Sequence, residues 1–310
     1  PNDSFQIVAA VPLKLTLSPH TAHLDKDFAT HAAVLEQLSG QTPQPVGEAD
    51  VELLICFLLF QRHKAEQSFW WPYLRILPQQ VASLSQFTDA DLDPLSSEDF
   101  QAFTGRMSQN LRKLFDRVWT VVLPAVRAAA TGVSQNSTES AEFSEPTHGS
   151  FRNRREWWDE TAEVVLWAVQ IVTSRAMHLK LDGFTVAMVP WLDLANFGPD
   201  GGNFGTDRDA QAMTERASAS FVEFSSRVDD AEFLPSRHVV IWATRRLFPG
   251  DEFTLNYGNP NNARLLAGFG FILDLNPYDF FAVPPTDIVA VAPQVEPLLD
   301  EFQDYGVQAL

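Results

Sequence analysis

The chain holds a single cysteine, Cys56, which excludes an internal disulfide and a multi-cysteine zinc site. Cys56 lies inside the apolar run Val51–Phe60, where a small soft side chain fills core rather than acting as a nucleophile. A reducing compartment suits such a chain. Long apolar runs are missing as well: VELLICFLLF is about half the length of a membrane-spanning helix. The first residues, PNDSFQ, carry neither signal-peptide nor transit-peptide features. Basic residues are scarce, 22 Lys and Arg against 40 Asp and Glu, for a net charge of −18. That balance disfavours nucleic-acid phosphates, serves solubility and attracts basic partners such as lysine-rich peptides. Positive charge stops altogether at Arg264, beyond which only acids follow. The seven histidines show no His-x3-His pair and no ligand cluster, so no metal site is expected.

What is present is an ordinary globular composition, 45% hydrophobic and 20% charged over 310 residues, enough for one large domain or two smaller ones. Residues 5–17 predict a strand, a Pro-marked break and a second extended piece. Residues 25–38 predict a helix, and 50–66 a strongly buried helix with Asp50 as N-cap. The connection SFWWPYLRILP is aromatic and reads as packed. Residues 85–131 have apolar side chains at helical spacing, with Ser96 or Ser97 capping a helix that starts near Glu98. A polar stretch, 132–150, predicts an exposed loop, and 154–180 a second long helix. The Trp70-Trp71 and Trp157-Trp158 pairs are expected to pack against the helical block. The second half changes to strand-like segments, FTVAMVP, SFVEFSS, RHVVIWAT and EFTLNY, separated by turn signals such as GPDGG and PGD. A further helical pattern begins at 287–303.

Two segments stand out: VPWLDLANFGPDGGNFG (189–205) and LFPGDEFTLNYGNPNNARLLAGFGF (247–271). Gly201, Gly202 and Gly205 do not make a phosphate-binding fingerprint, because the strand–GxGxxG–helix order is missing. With VPLKLTL (11–17), FLLFQRHKAEQSFWWPYLRILP (57–78), Thr173-Ser174-Arg175-Ala176 and Asn276-Pro277-Tyr278-Asp279, these segments resemble, in order and in spacing, SET-domain protein methyltransferases of the Rubisco large-subunit methyltransferase-like class. The actin-histidine methyltransferases are part of that class. Pro190 to Asn196 is similar to the family's P-x-x-D-x-x-N, and 255–272 to its catalytic-tyrosine segment.

The resemblance implies an α+β architecture: a β-rich SET fold with a helical insert, a C-terminal segment threaded through a loop, and the start of a helical substrate-binding region. The corresponding parts are residues 1–79 and 181–275 for the SET domain, 80–180 for the insert and 276–310 for the start of the substrate-binding region. It implies S-adenosylmethionine as methyl donor and a protein side chain, lysine before histidine, as acceptor. Tyr257 would be the catalytic tyrosine. Asn196 would hold the donor's polar end, Phe197 would offer main-chain bonds to the adenine, Arg175 would lie by the cofactor or substrate groove, and Asn203 would sit on a loop closing over the donor. Each has a plain structural alternative: Tyr257 as a half-buried aromatic with a satisfied hydroxyl, Asn196 as a turn residue, Arg175 as a partner for a helix C-terminus.

Two departures support a second reading. No glycine precedes Pro12, where the family has a G-x-G turn, and Phe197 stands where the family usually has His. The short C-terminal region points the same way. On that reading the chain is a catalytically impaired SET-derived scaffold in a larger assembly, for instance in plastids. The expected partners are a protein substrate or basic peptide, or that assembly. The family suggests the chloroplast, with cytoplasm or nucleus as alternatives.

Overall fold

The computed structural model describes residues 7–41, 48–81, 98–131, 156–180, 184–198, 204–206, 238–243, 248–255, 257 and 260–279. Asn203, the strand expected at SFVEFSS, the loop at 132–150, the caps at Ser96 and Ser97 and the helix expected at 287–303 lie outside these residues.

One core is helical. Helix α3 (Glu48–Lys64) follows α1 (Pro19–Leu24) and α2 (Ala29–Gln41), and its residues Glu52 to Gln61 are all buried. A helix apolar on every side must be enclosed by other elements. Its acids, Glu48 and Asp50, fall in the first turn and Arg62, His63 and Lys64 in the last, which matches the helix dipole. Asp50 is therefore inside the first turn and is not the N-cap expected from sequence. Around α3 pack the short α4 (Trp71–Leu74), α5 (Glu98–Arg117), α6 (Leu123–Thr131) and α7 (Ala162–Arg175). A π turn, Val118–Val122, joins α5 to α6. Pro124 follows it, and the wider turn relieves the missing amide donor and the ring clash a proline brings to a helix. Buried Glu52 pairs with Arg117 Nε, tying α3 to α5. Trp70 and Trp157 are buried in this core, with Trp71 and Trp158 packed against it.

Helix α7 begins at Thr161, whose hydroxyl accepts from Val164 N–H, and ends at Ala176. The long helix expected over 154–180 is thus shorter: Trp157–Asp159 form a single 3-10 turn, and Met177–Lys180 form strand β2, paired antiparallel with β3 (Phe184–Ala187).

The second core lies against a sheet of five strands among the described residues, ordered β1 (Ile7–Pro12), β6 (His238–Ala243), β5 (Phe204–Thr206), β7 (Thr254–Leu255), β4 (Asn196–Phe197). Its buried residues include Leu192, Ala195, Val239, Ile241 and Leu255. Strand β7 lies between β5 and β4, which are consecutive in the chain, and runs parallel to both. Helix α8 (Asn262–Phe269) starts at Asn261, whose side chain accepts from Arg264 N–H, and stops at Gly270. Gly270 adopts φ 78°, a left-handed cap that glycine reaches without steric cost. Asn262 and Asn276 link the two turns flanking α8: Asn262 N donates to Asp279 Oδ1 over 3.0 Å and Asn276 Nδ2 to Pro260 O over 2.9 Å. No helix among the described residues is long and apolar enough to cross a membrane.

Candidate active site

The site forms where β4 meets β7. Their parallel register sets Asn196 opposite Thr254 and Phe197 opposite Leu255. Tyr257 follows β7 directly, so this pairing brings it to the segment 192–197. Its hydroxyl donates to Ala195 O over 2.6 Å. Burial raises the Tyr257 phenol above its ordinary range; Arg175 opposes the shift and Asp193 adds to it. The phenol therefore keeps its proton and acts as a donor.

Alternation along β4 splits its two side chains. Phe197 points inward and is buried; its ring lies 5.4 Å from that of Tyr257 and 6.3 Å from Phe271. Phe269 adds a ring 4.7 Å from Tyr257. Asn196 points outward, and its Nδ2 donates to Glu252 Oε1 over 2.6 Å. The main chain has its own asymmetry. Gly198 N donates to Leu255 O over 2.9 Å, so in a parallel ladder the N–H and C=O of Phe197 turn away from β7. Strand β4 is at the sheet's edge, and among the described residues no further strand lies on that side.

Beneath this pair is a polar knot that the sequence reading did not single out. Asp193 sits in the 3-10 turn Leu192–Leu194, its carboxylate buried. Tyr73, from α4, donates its hydroxyl to Asp193 Oδ2 over 2.6 Å. Arg175, from the last turn of α7, donates Nη1 to Asp193 O over 2.8 Å and approaches Oδ2 at 3.6 Å. Burial pushes the Asp193 carboxyl up to about 6, against the pull of Tyr73 and Arg175, and pushes the Tyr73 phenol upward. Trp191, just before this turn, has φ 77°, and its ring lies tilted on that of Phe253 at 4.8 Å.

Of the residues expected from sequence, Tyr257 and Phe197 are in ring contact, and Arg175 joins them through Asp193 and Ala195. Asn196 shares their strand but faces the other way, and Asn203 is outside the described residues. Tyr73 and Asp193 both lie in motifs quoted from the sequence. A charged residue set in the apolar string VPWLDLANF was the signal for Asp193. Tyr73 had no signal of its own, because its partner is 120 positions away. Among the described residues, no group of three His, Cys, Asp or Glu is placed to hold a metal ion.

No protein-family model matches the chain. Protein SET DOMAIN GROUP 40 of Arabidopsis thaliana is 24% identical over 239 residues, a stretch covering 76% of this chain and 43% of that protein. The SET domain of LSMT bound to lysine and AdoHcy superposes with a TM-score of 0.54 at 17% identity, covering 87% of this chain and 48% of that one. Rubisco LSMT bound to AdoMet gives 0.52 at 17% identity, covering 87% of this chain and 47% of that one. The chain spans about half the length of these relatives. The chain thus has the fold of these SET domains.

Proposed function

We propose that the chain is a protein-lysine N-methyltransferase using S-adenosylmethionine. The observation that carries this reading is the Tyr257 hydroxyl, held by the Ala195 carbonyl beside the edge of β4. The residues fit such a donor. The outward N–H and C=O of Phe197 suit the paired donor and acceptor of an adenine edge. The exposed Asn196–Glu252 pair suits a zwitterionic amino-acid end, with the amide facing a carboxylate and Glu252 an ammonium. Asn203 is part of the same proposal. When bound, the donor supplies a methyl group already activated on a sulfonium, so positioning dominates the chemistry.

Tyr257 contributes by orientation. With its proton spent on Ala195, its oxygen lone pairs face the incoming nitrogen and the methyl hydrogens. Its raised phenol keeps that oxygen neutral at physiological pH, so it does not compete as a nucleophile. The rings of Phe197, Phe269 and Phe271 give the phenol apolar surroundings that exclude water. The net charge of −18 draws a basic segment of the substrate protein. A chloroplast location belongs to the same proposal and rests on the plant relative and the Rubisco enzymes in the comparison.

One observation favours the scaffold reading instead. Phe197 fills its position with a ring packed on Tyr257 and offers no side-chain hydrogen bond there. Calorimetry decides between the two. Micromolar S-adenosylmethionine binding, weakened by Asn196→Ala and little changed by Tyr257→Phe, supports the enzyme. No binding at millimolar donor from a folded protein rejects it in favour of the scaffold.

A further inference from the structure

The polar knot under the site asks for an explanation, because a buried carboxylate is costly and replacing a buried ion pair by hydrophobic groups of the same volume is often neutral or stabilising. Its three members come from separate elements: Tyr73 from α4, Arg175 from the end of α7 and Asp193 from the turn before β4. They converge on one acid. Tyr73 and Arg175 both address Oδ2, and Arg175 also takes the main-chain carbonyl of the same residue. Oδ1 is buried with no donor among the described residues, so the acid is not placed to maximise its own hydrogen bonding.

What the knot does hold is the turn. Asp193 N donates to Val189 O and Ala195 N to Leu192 O, each over 3.1 Å. With Asp193 gripped by main chain and side chain, the next carbonyls of this turn have little freedom. The Ala195 carbonyl is the one that accepts from Tyr257.

We propose that Tyr73, Arg175 and Asp193 are positioning residues that aim the Tyr257 hydroxyl by fixing the Ala195 carbonyl. The proposal rests on the reading of Tyr257 as the catalytic tyrosine. It gives Arg175 a task distinct from contact with the methyl donor, since its Nη1 is spent on Asp193. Asp193 is also the acid whose charge acts on the Tyr257 phenol, so disturbing it changes both the aim and the electrostatics of that hydroxyl.

The test uses the full chain labelled with 13C at the tyrosine ring carbon that bears oxygen. Only four tyrosines are present, so each resonance is assigned by a single Tyr→Phe change. Asp193→Asn keeps the shape and removes the charge; Arg175→Lys keeps the charge and removes the fork that spans carbonyl and carboxylate. In both variants the Tyr257 resonance is expected to move while that of Tyr278 stays. Asp193→Glu is expected to return it part of the way. Calorimetry on the same samples is expected to give a dissociation constant for S-adenosylmethionine within about threefold of the wild type, a change of ~0.7 kcal/mol or less. An unmoved Tyr257 resonance in a folded Asp193→Asn protein overturns the proposal. So does a tenfold loss of donor binding in Arg175→Lys without movement of Tyr257, because Arg175 is then a donor contact. If Asp193→Asn does not fold, Arg175→Lys and Tyr73→Phe carry the same readout. A moved resonance together with no donor binding in the wild type upholds the positioning group and rejects the methyltransferase reading on which its purpose rests.

Discussion

Replacing Tyr73 by phenylalanine removes one oxygen and little else. That oxygen donates to Asp193 Oδ2 over 2.6 Å at a buried site, and in the variant the carboxylate retains Arg175 at 3.6 Å. A hydrogen bond to a charged group contributes about 1.5–3 kcal/mol net, while one to a neutral group contributes about 1 kcal/mol. The protonation state of Asp193 therefore decides the magnitude. In the unfolded chain this acid titrates near 3.8, and in the native protein burial lifts it to about 6. Between these values the native state binds more protons than the unfolded state, so this group makes stability fall as pH rises through the window. Tyr73 opposes the lift. Without it the native carboxyl titrates higher still, and the variant goes on losing stability above the pH at which the wild type has levelled off. The deficit is expected to be about 1.5–3 kcal/mol near pH 8 and about 1 kcal/mol or less near pH 4, where both proteins carry the neutral acid. Urea unfolding followed by tryptophan fluorescence, run at both pH values, measures it. Equal deficits at the two pH values, or less than about 0.5 kcal/mol near pH 8, would refute the account of Asp193 as a buried, hydrogen-bonded carboxylate.

Cys56 is fully enclosed and burial pushes its thiol far upward, so iodoacetamide is expected to leave the native chain unlabelled and to modify it in denaturant; mass spectrometry reads the difference. Gly270→Ala places a side chain at φ 78° and is expected to cost about 1–2 kcal/mol in thermal or urea unfolding. Thr161→Ala removes the hydroxyl that accepts from Val164 N and is expected to cost about 1 kcal/mol, with hydrogen exchange accelerated in the first turn of α7 and unchanged in α3.

The helical half was legible because its signals are local. Ten successive positions of α3 are buried, and the matching apolar run announces a helix enclosed on all sides. The end of α7 was not legible. Ala176, Met177, Leu179 and Lys180 are good helix formers, and only pairing with Phe184–Ala187 makes them strand. The sheet's order could not be read either. Strands β4 and β7 are two residues each, too short to show alternation, and their pairing spans more than fifty positions. Tyr257 and Phe197 were expected from family resemblance; the Tyr73–Asp193 pair makes its case only when the chain is folded and a phenol meets an acid from a distant turn.

Among the described residues, β4 pairs only with β7, and β7 is the last strand in chain order. The carbonyl and amide of Phe197 therefore cannot become an ordered edge while the chain is still emerging from the ribosome. Until Thr254 and Leu255 arrive, β5 and the segment that will become β4 lack the strand that joins them across about two strand spacings, ~9.5 Å, in the finished sheet. A chain cut before β7 would lack the partner of β4 and would also lose α8, which packs against α5. On the proposed reading, the order of synthesis completes the donor edge only as Tyr257, two residues further on, is made.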